Sequence, residues 1–128
     1  IYKSVCGAGR SLGYVCAPSM MQFVIRECVG LTGDISAYKM NRDILLEAFE
    51  ECGFKTAKPD GAFYLFMKSP IDSAEEFCES AKKYDLLLVP SDSFGFPGYV
   101  RISYCVSTDM IKRSLPKFKE LAKEYNLI

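Results

Sequence analysis

Arg101 is the residue whose type and position point most clearly to chemistry. It lies inside the apolar run Gly98-Tyr99-Val100-Arg101-Ile102-Ser103-Tyr104, whose aromatic and β-branched residues favour a β-strand. A guanidinium within a strand is costly unless an anion neutralises it, and its fork of N–H donors matches a planar carboxylate. From the residues alone two partners remain open: a bound carboxylate, or an acid of the chain itself such as Asp92 or Glu75. The internal ion pair is the more common arrangement.

Histidine is absent from the sequence, which excludes His-based catalytic triads and an imidazole general base. The six cysteines stand singly, with no Cys-x-x-Cys pair, so no metal-binding residue is predicted. Because they lie at apolar positions, we interpret them as reduced core residues of a cytoplasmic protein. They are Cys6, Cys16, Cys28, Cys52, Cys78 and Cys105.

A glycine-rich stretch, Gly7-Ala8-Gly9-Arg10-Ser11-Leu12-Gly13, has the composition of a phosphate-binding loop. The dinucleotide-binding pattern, however, needs glycine where Leu12 stands, and no predicted strand precedes the stretch. We therefore predict a flexible linker between helices at this point.

The overall composition is that of one ordinary globular domain. The chain has 128 residues, of which 49% are hydrophobic and 25% charged, with 16 basic and 16 acidic side chains. The resulting zero net charge gives no reason to expect binding to nucleic acid or to an anionic membrane. No apolar run approaches the roughly 20 residues that span a bilayer. The chain begins with Ile1 rather than Met, so we interpret it as an excerpt or a processed product.

Hydrophobic periodicity and capping residues predict helices, two strands, a helix, two strands and a final helix. The first helix is expected to end near residue 8, and the second to run from 19 to the glycines at 30 and 33. The third should start from a cap at Asp34 or Ser36 and reach about residue 51. The last two should span about 73–84 and, from a cap at Ser107 or Thr108, reach about 125. Because the second helix is strongly apolar, we expect it to be well buried.

The strands are expected at residues 54–58, 62–68, 86–89 and 99–106, the first two forming a hairpin across Pro59-Asp60-Gly61. The run 86–89 is fully apolar, which indicates a central strand. This order predicts an α+β (layered α/β) fold. Its sheet should be small, mixed and largely antiparallel, with about four strands covered by helices.

Three blocks of sequence carry a resemblance to a known family. Residues 58–66 read Lys-Pro-Asp-Gly-Ala-Phe-Tyr-Leu-Phe, Val89-Pro90 precedes Phe94-Gly95, and Arg101 lies in the last strand. In this order they resemble the small C-terminal domain of fold-type I pyridoxal-phosphate-dependent aminotransferases of the aspartate aminotransferase type (class I/II). The family's loop reads Val-x-Pro-Gly-x-x-Phe-Gly, and Ser91 stands here in place of its first glycine. Serine tolerates positive φ less well than glycine does. The resemblance implies that Arg101 binds the substrate α-carboxylate.

Lys3 is the lysine whose surroundings come nearest to the family's Schiff-base lysine. That lysine typically follows a serine, and glycine, arginine, glycine and an aromatic residue come after it. Here Tyr2 precedes Lys3, and the downstream positions hold Gly9, Ser11, Gly13 and Tyr14. A better alignment places residues 17–22 on a family helix well beyond the lysine. We therefore interpret Lys3 as a surface lysine and expect no catalytic and no cofactor-binding residue in this chain.

The resemblance implies one domain, residues 1–128, with 1–17 as the tail of a linker helix from a large domain. The full-length enzyme would transfer an amino group between an amino acid and a 2-oxo acid, use pyridoxal phosphate and form a homodimer. This chain alone would be inactive and bind no cofactor. It would expose apolar surface that meets the large domain, including Met20, Phe23 and residues near Tyr14. The alternatives are a free-standing amino-acid-binding or regulatory module, or a purely structural interaction domain.

Overall fold

The computed structural model describes residues 1–128, which divide into two compact units, Ile1–Gly33 and Asp34–Ile128. The first unit contains two helices, α1 (Tyr2–Ser11) and α2 (Ser19–Cys28). None of the helices in the chain is both long and apolar enough to cross a membrane.

The expectation that α2 is well buried was wrong. No residue of α1 or α2 is buried, and Met20 and Phe23 are 72% and 64% exposed. The apolar composition of a helix shows that it needs a covering surface but does not locate that surface in the same chain. The expected exposure of Met20, Phe23 and Tyr14 is confirmed.

The glycine-rich stretch is mostly helical, so the predicted flexible linker was also wrong. Gly7 and Gly9 lie inside α1, and only Gly13, with φ of +85°, adopts the left-handed conformation of a turn. Backbone N–H groups within a helix are occupied by the helical hydrogen bonds, which leaves none to cradle a phosphate.

The second unit carries three helices, each with a side-chain N-cap. Asp34 caps α3 (Ile35–Glu51), Ser73 caps α4 (Ala74–Ala81) and Ser107 caps α5 (Thr108–Glu124). A short 3-10 turn, Lys82–Tyr84, follows α4, and α5 continues through Pro116. The capping residues are accurate markers because they accept the otherwise unpaired N–H groups of the first turn.

The sheet of the second unit has four strands in the order β1-β2-β4-β3, and every neighbouring pair is antiparallel. The strands are β1 (Thr56–Ala57), β2 (Tyr64–Lys68), β3 (Val89–Pro90) and β4 (Tyr99–Ser103). The α+β class, the hairpin of β1 and β2 and the number of strands are confirmed, while the sheet is entirely antiparallel rather than mixed.

The run 86–89 does not form a central strand. Only Val89–Pro90 pairs with the sheet, and it does so at an edge, beside β4. Leu86 is buried but Leu87 is 82% exposed, so the apolar run is not covered on both sides. Pro90 also lacks the N–H that a second neighbouring strand would require.

The core lies on one face of the sheet, against the three helices of the second unit. Leu65 and Met67 of β2 and Val100 of β4 point into it, where they meet edge-to-face aromatic rings of the helices. Residues that alternate with these, including Phe66 and Arg101, are only half-buried and form the other face, which we call the outer face.

All six cysteines are free, but only Cys52 and Cys78 belong to the core. Burial raises the pKa of the Cys78 thiol to about 11. The core assignment was wrong for the other four. Cys6 is half-buried and Cys16 and Cys28 are exposed in the first unit, and Cys105 is exposed beyond the end of β4. An apolar neighbourhood in sequence does not fix burial at the end of an element.

Candidate carboxylate-binding site

Arg101 occupies the middle of β4 on the outer face of the sheet. It lies opposite Phe66 of β2 and Val89 of β3, so it is flanked by strands on both sides. Its side chain is half-buried. The sheet therefore fixes the backbone of this arginine more firmly than a loop would.

Two aromatic rings enclose the Arg101 guanidinium. Its central carbon lies 3.9 Å from the ring centroid of Phe94 and 4.3 Å from that of Tyr64. Both distances are within the range of a cation–π interaction. Stacked rings hold the guanidinium plane while leaving the N–H donors along its edge available for bonding.

No side chain or carbonyl of the protein pairs with the Arg101 guanidinium. It forms no salt bridge and no hydrogen bond, so the internal ion pair with Asp92 or Glu75 is absent. A half-buried cation without an anion is incompletely neutralised. The arrangement leaves a planar set of donors that can bind a carboxylate in bidentate fashion.

The loop between β3 and β4 positions the Phe94 ring. The carbonyl of Ser91 accepts hydrogen bonds from the backbone N–H groups of Phe94 (2.9 Å) and Phe96 (3.1 Å), and the Ser91 N–H donates to the carbonyl of Tyr99 (2.8 Å). Ser91 has φ of −91°, so the serine at this glycine position causes no backbone strain. Gly95, with φ of +79°, makes the turn that follows.

The segment before β2 positions the Tyr64 ring. Ala62 has φ of +60°, a left-handed conformation that is unusual for a residue other than glycine. The Tyr104 hydroxyl donates to the Ala62 carbonyl (2.8 Å), and the Tyr104 N–H donates to the Phe63 carbonyl (3.0 Å). Neither the strained alanine nor its tyrosine partner was identified from the sequence.

Asn41 of α3 anchors this region from the core side. Its amide N–H₂ donates to the carbonyls of Tyr104 (3.1 Å) and Val106 (2.7 Å), and its amide oxygen accepts from the Thr108 hydroxyl (2.8 Å). The residue is 1% exposed. The sequence feature that could have identified Asn41 is its place on the apolar side of a predicted helix, because a buried amide must find hydrogen-bond partners.

Lys3 is the other residue that the sequence singled out. It lies on α1 in the first unit and is exposed. The interpretation of Lys3 as a surface lysine rather than the Schiff-base lysine stays a prediction.

Comparison with known proteins gives the family. The pattern of aminotransferase class I and II matches residues 19–118. The crystal structure of an amino transferase from Eubacterium rectale shares 57% sequence identity and superimposes with a TM-score of 0.85, over 98% of this chain and 31% of that chain.

Two curated relatives are aminotransferases of different substrates. Aromatic-amino-acid aminotransferase 2 of Thermococcus litoralis is 33% identical over 71% of this chain and 25% of its own length. Aspartate/prephenate aminotransferase of Thermus thermophilus is 37% identical over 64% of this chain and 22% of its own length. This chain therefore spans about a quarter of the length of these relatives. Because the family pattern matches most of its residues, the chain belongs to the class I and II aminotransferases.

Proposed function

We propose that this chain is the small C-terminal domain of a pyridoxal-phosphate-dependent aminotransferase and that Arg101 binds the α-carboxylate of its substrate. The enzyme would transfer an amino group between an amino acid and a 2-oxo acid. One observation carries the assignment of Arg101: a half-buried guanidinium lies between two aromatic rings and has no partner in the protein.

The geometry favours binding of a planar anion. The rings of Tyr64 and Phe94 restrict rotation of the guanidinium about its long side chain, so less side-chain entropy is lost when a carboxylate binds. The partly desolvated position strengthens a charge-assisted hydrogen bond relative to one in water. Two parallel N–H···O bonds would also fix the orientation of the substrate relative to the other reacting groups. Such orientation supplies a large part of the rate acceleration in enzymes.

We assign the cofactor and the catalytic residues to the rest of the enzyme. Pyridoxal phosphate supplies the electron sink for amino transfer in this family. In the proposal this chain contributes substrate positioning, and the large domain contributes the Schiff-base lysine. The exposed apolar residues Met20, Phe23 and Tyr14 would then be covered in the full-length enzyme, which we propose is a cytoplasmic homodimer. Residues 1–17 would be the tail of the linker helix.

The test uses the full-length enzyme with Arg101→Lys. A lysine keeps the charge but loses the bidentate fork and the ring stacking, so kcat/KM for the amino acid should fall on the order of 100-fold. The absorbance of the bound cofactor should not change. Arg113→Lys is the matched control, because Arg113 is exposed on α5. If Arg101→Lys and Arg113→Lys retain the same kcat/KM, the proposal is wrong.

A further inference from the structure

We infer that Tyr104 is a positioning residue that holds Arg101 in its stacked geometry by fixing the left-handed conformation of Ala62. The inference about catalysis rests on the proposed role of Arg101 in substrate binding. The inference about geometry rests on the contacts of Tyr104 alone.

Tyr104 joins the two strands that carry the site. It is 3% exposed and lies just beyond β4, where its N–H donates to the Phe63 carbonyl and continues the pairing with β2. Its hydroxyl reaches the Ala62 carbonyl at 2.8 Å. The tyrosine therefore binds the segment before Tyr64 at two successive carbonyl groups.

The hydrogen bond from the Tyr104 hydroxyl matters because the left-handed conformation of Ala62 is strained. At φ of +60° the alanine Cβ crowds the backbone, so the residue relaxes toward negative φ unless other contacts hold it. Such a change would rotate the Ala62–Phe63 peptide and so displace Tyr64, the next residue, whose ring covers the Arg101 guanidinium at 4.3 Å. Without the Tyr104 hydroxyl, one of the two rings that enclose Arg101 should lose its fixed place.

The first readout is the Nε–Hε resonance of Arg101 in the 128-residue chain, measured by NMR with arginine labelled in its side chain. The ring currents of Tyr64 and Phe94 should displace this resonance from that of an unstacked arginine. Tyr104→Phe should move it toward the unstacked value. The matched control is Tyr84→Phe, which also removes a tyrosine hydroxyl bond, to Glu124 at 2.7 Å, and should leave the resonance in place.

A second variant separates positioning from a general loss of packing. Ala62→Gly makes the left-handed conformation accessible without strain, so Tyr104→Phe should shift the Arg101 resonance less when combined with Ala62→Gly. A shift of equal size in both backgrounds would contradict the inference. So would a Tyr104→Phe resonance that matches the Tyr84→Phe control.

The second readout is steady-state kinetics of the full-length enzyme. Tyr104→Phe should raise KM for the amino acid about two- to fivefold, the amount that a weakened cation–π contact represents, while kcat stays within twofold. If neither Tyr104→Phe nor Arg101→Lys raises KM, the proposed role of Arg101 in substrate binding is wrong, and the Arg101 resonance alone decides whether Tyr104 positions it. If only Arg101→Lys raises KM, Tyr104 does not position Arg101 for catalysis.

Discussion

Asn41 is the buried polar residue whose replacement gives the most direct test of the packing. Its side chain forms hydrogen bonds with the carbonyls of Tyr104 and Val106 and with the hydroxyl of Thr108. Each buried hydrogen bond contributes about 1 kcal/mol net, and the groups left without a partner add a desolvation penalty. Asn41→Ala should therefore lower the free energy of unfolding by about 3 kcal/mol.

The assay is urea denaturation of the 128-residue chain followed by circular dichroism, with the free energy taken from the linear extrapolation. Glu47→Ala is the matched control, because Glu47 is exposed on the same helix and its removal should change the free energy by less than about 0.5 kcal/mol. A loss below about 1 kcal/mol for Asn41→Ala would show that the three hydrogen bonds do not anchor α3 to the end of β4.

Two further predictions concern stability. Gly53→Ala should destabilise the chain by about 2 kcal/mol in the same urea assay, because φ is +74° and the new Cβ would lie 2.9 Å from the Leu127 carbonyl oxygen. The control is Gly61→Ala, which should destabilise the chain far less because the space around its Cβ is open. If both variants lose the same free energy of unfolding, the clash at Gly53 is refuted. The Glu124 pKa is lowered to about 2, mainly by the hydrogen bond from Tyr84. Because the pKa of Glu124 is lower in the folded state than in the unfolded state, the carboxylate stabilises the fold above about pH 4.5, and this contribution is lost as pH falls toward 2. The difference in stability between wild type and Glu124→Gln, read from urea midpoints, should therefore shrink over that pH range. A gap that does not vary with pH would contradict it.

Local signals in the sequence predicted much of the second unit. Asp34 and Ser107 marked helix starts because their side chains satisfy unpaired N–H groups in any surroundings. The location of the run 86–89 was not predictable in the same way. Its apolar residues are equally compatible with a central strand and with a segment of which one end enters the core. Only the strand order β1-β2-β4-β3, which leaves no strand beyond β3, decides between the two.

In the site, too, the residue type was predictable from nearby sequence, whereas the contacts between distant segments were not. Arg101 was recognisable because a charged residue in an apolar strand needs an explanation. Its enclosure by Tyr64 and Phe94 depends on a strand and a loop that are separated from each other in sequence. The hydroxyl bond from Tyr104 to Ala62 depends on a backbone conformation that residue types do not reveal, because alanine rarely adopts positive φ.

The most direct test of the central claim compares an amino acid with the amine that lacks its carboxylate. In the full-length enzyme, the ratio of their kcat/KM values measures how much the enzyme gains from the carboxylate. Arg101→Met should reduce this ratio on the order of 100-fold, while Arg113→Met should leave it unchanged. If Arg101→Met lowers both kcat/KM values equally and the ratio stays the same, Arg101 does not bind the substrate carboxylate.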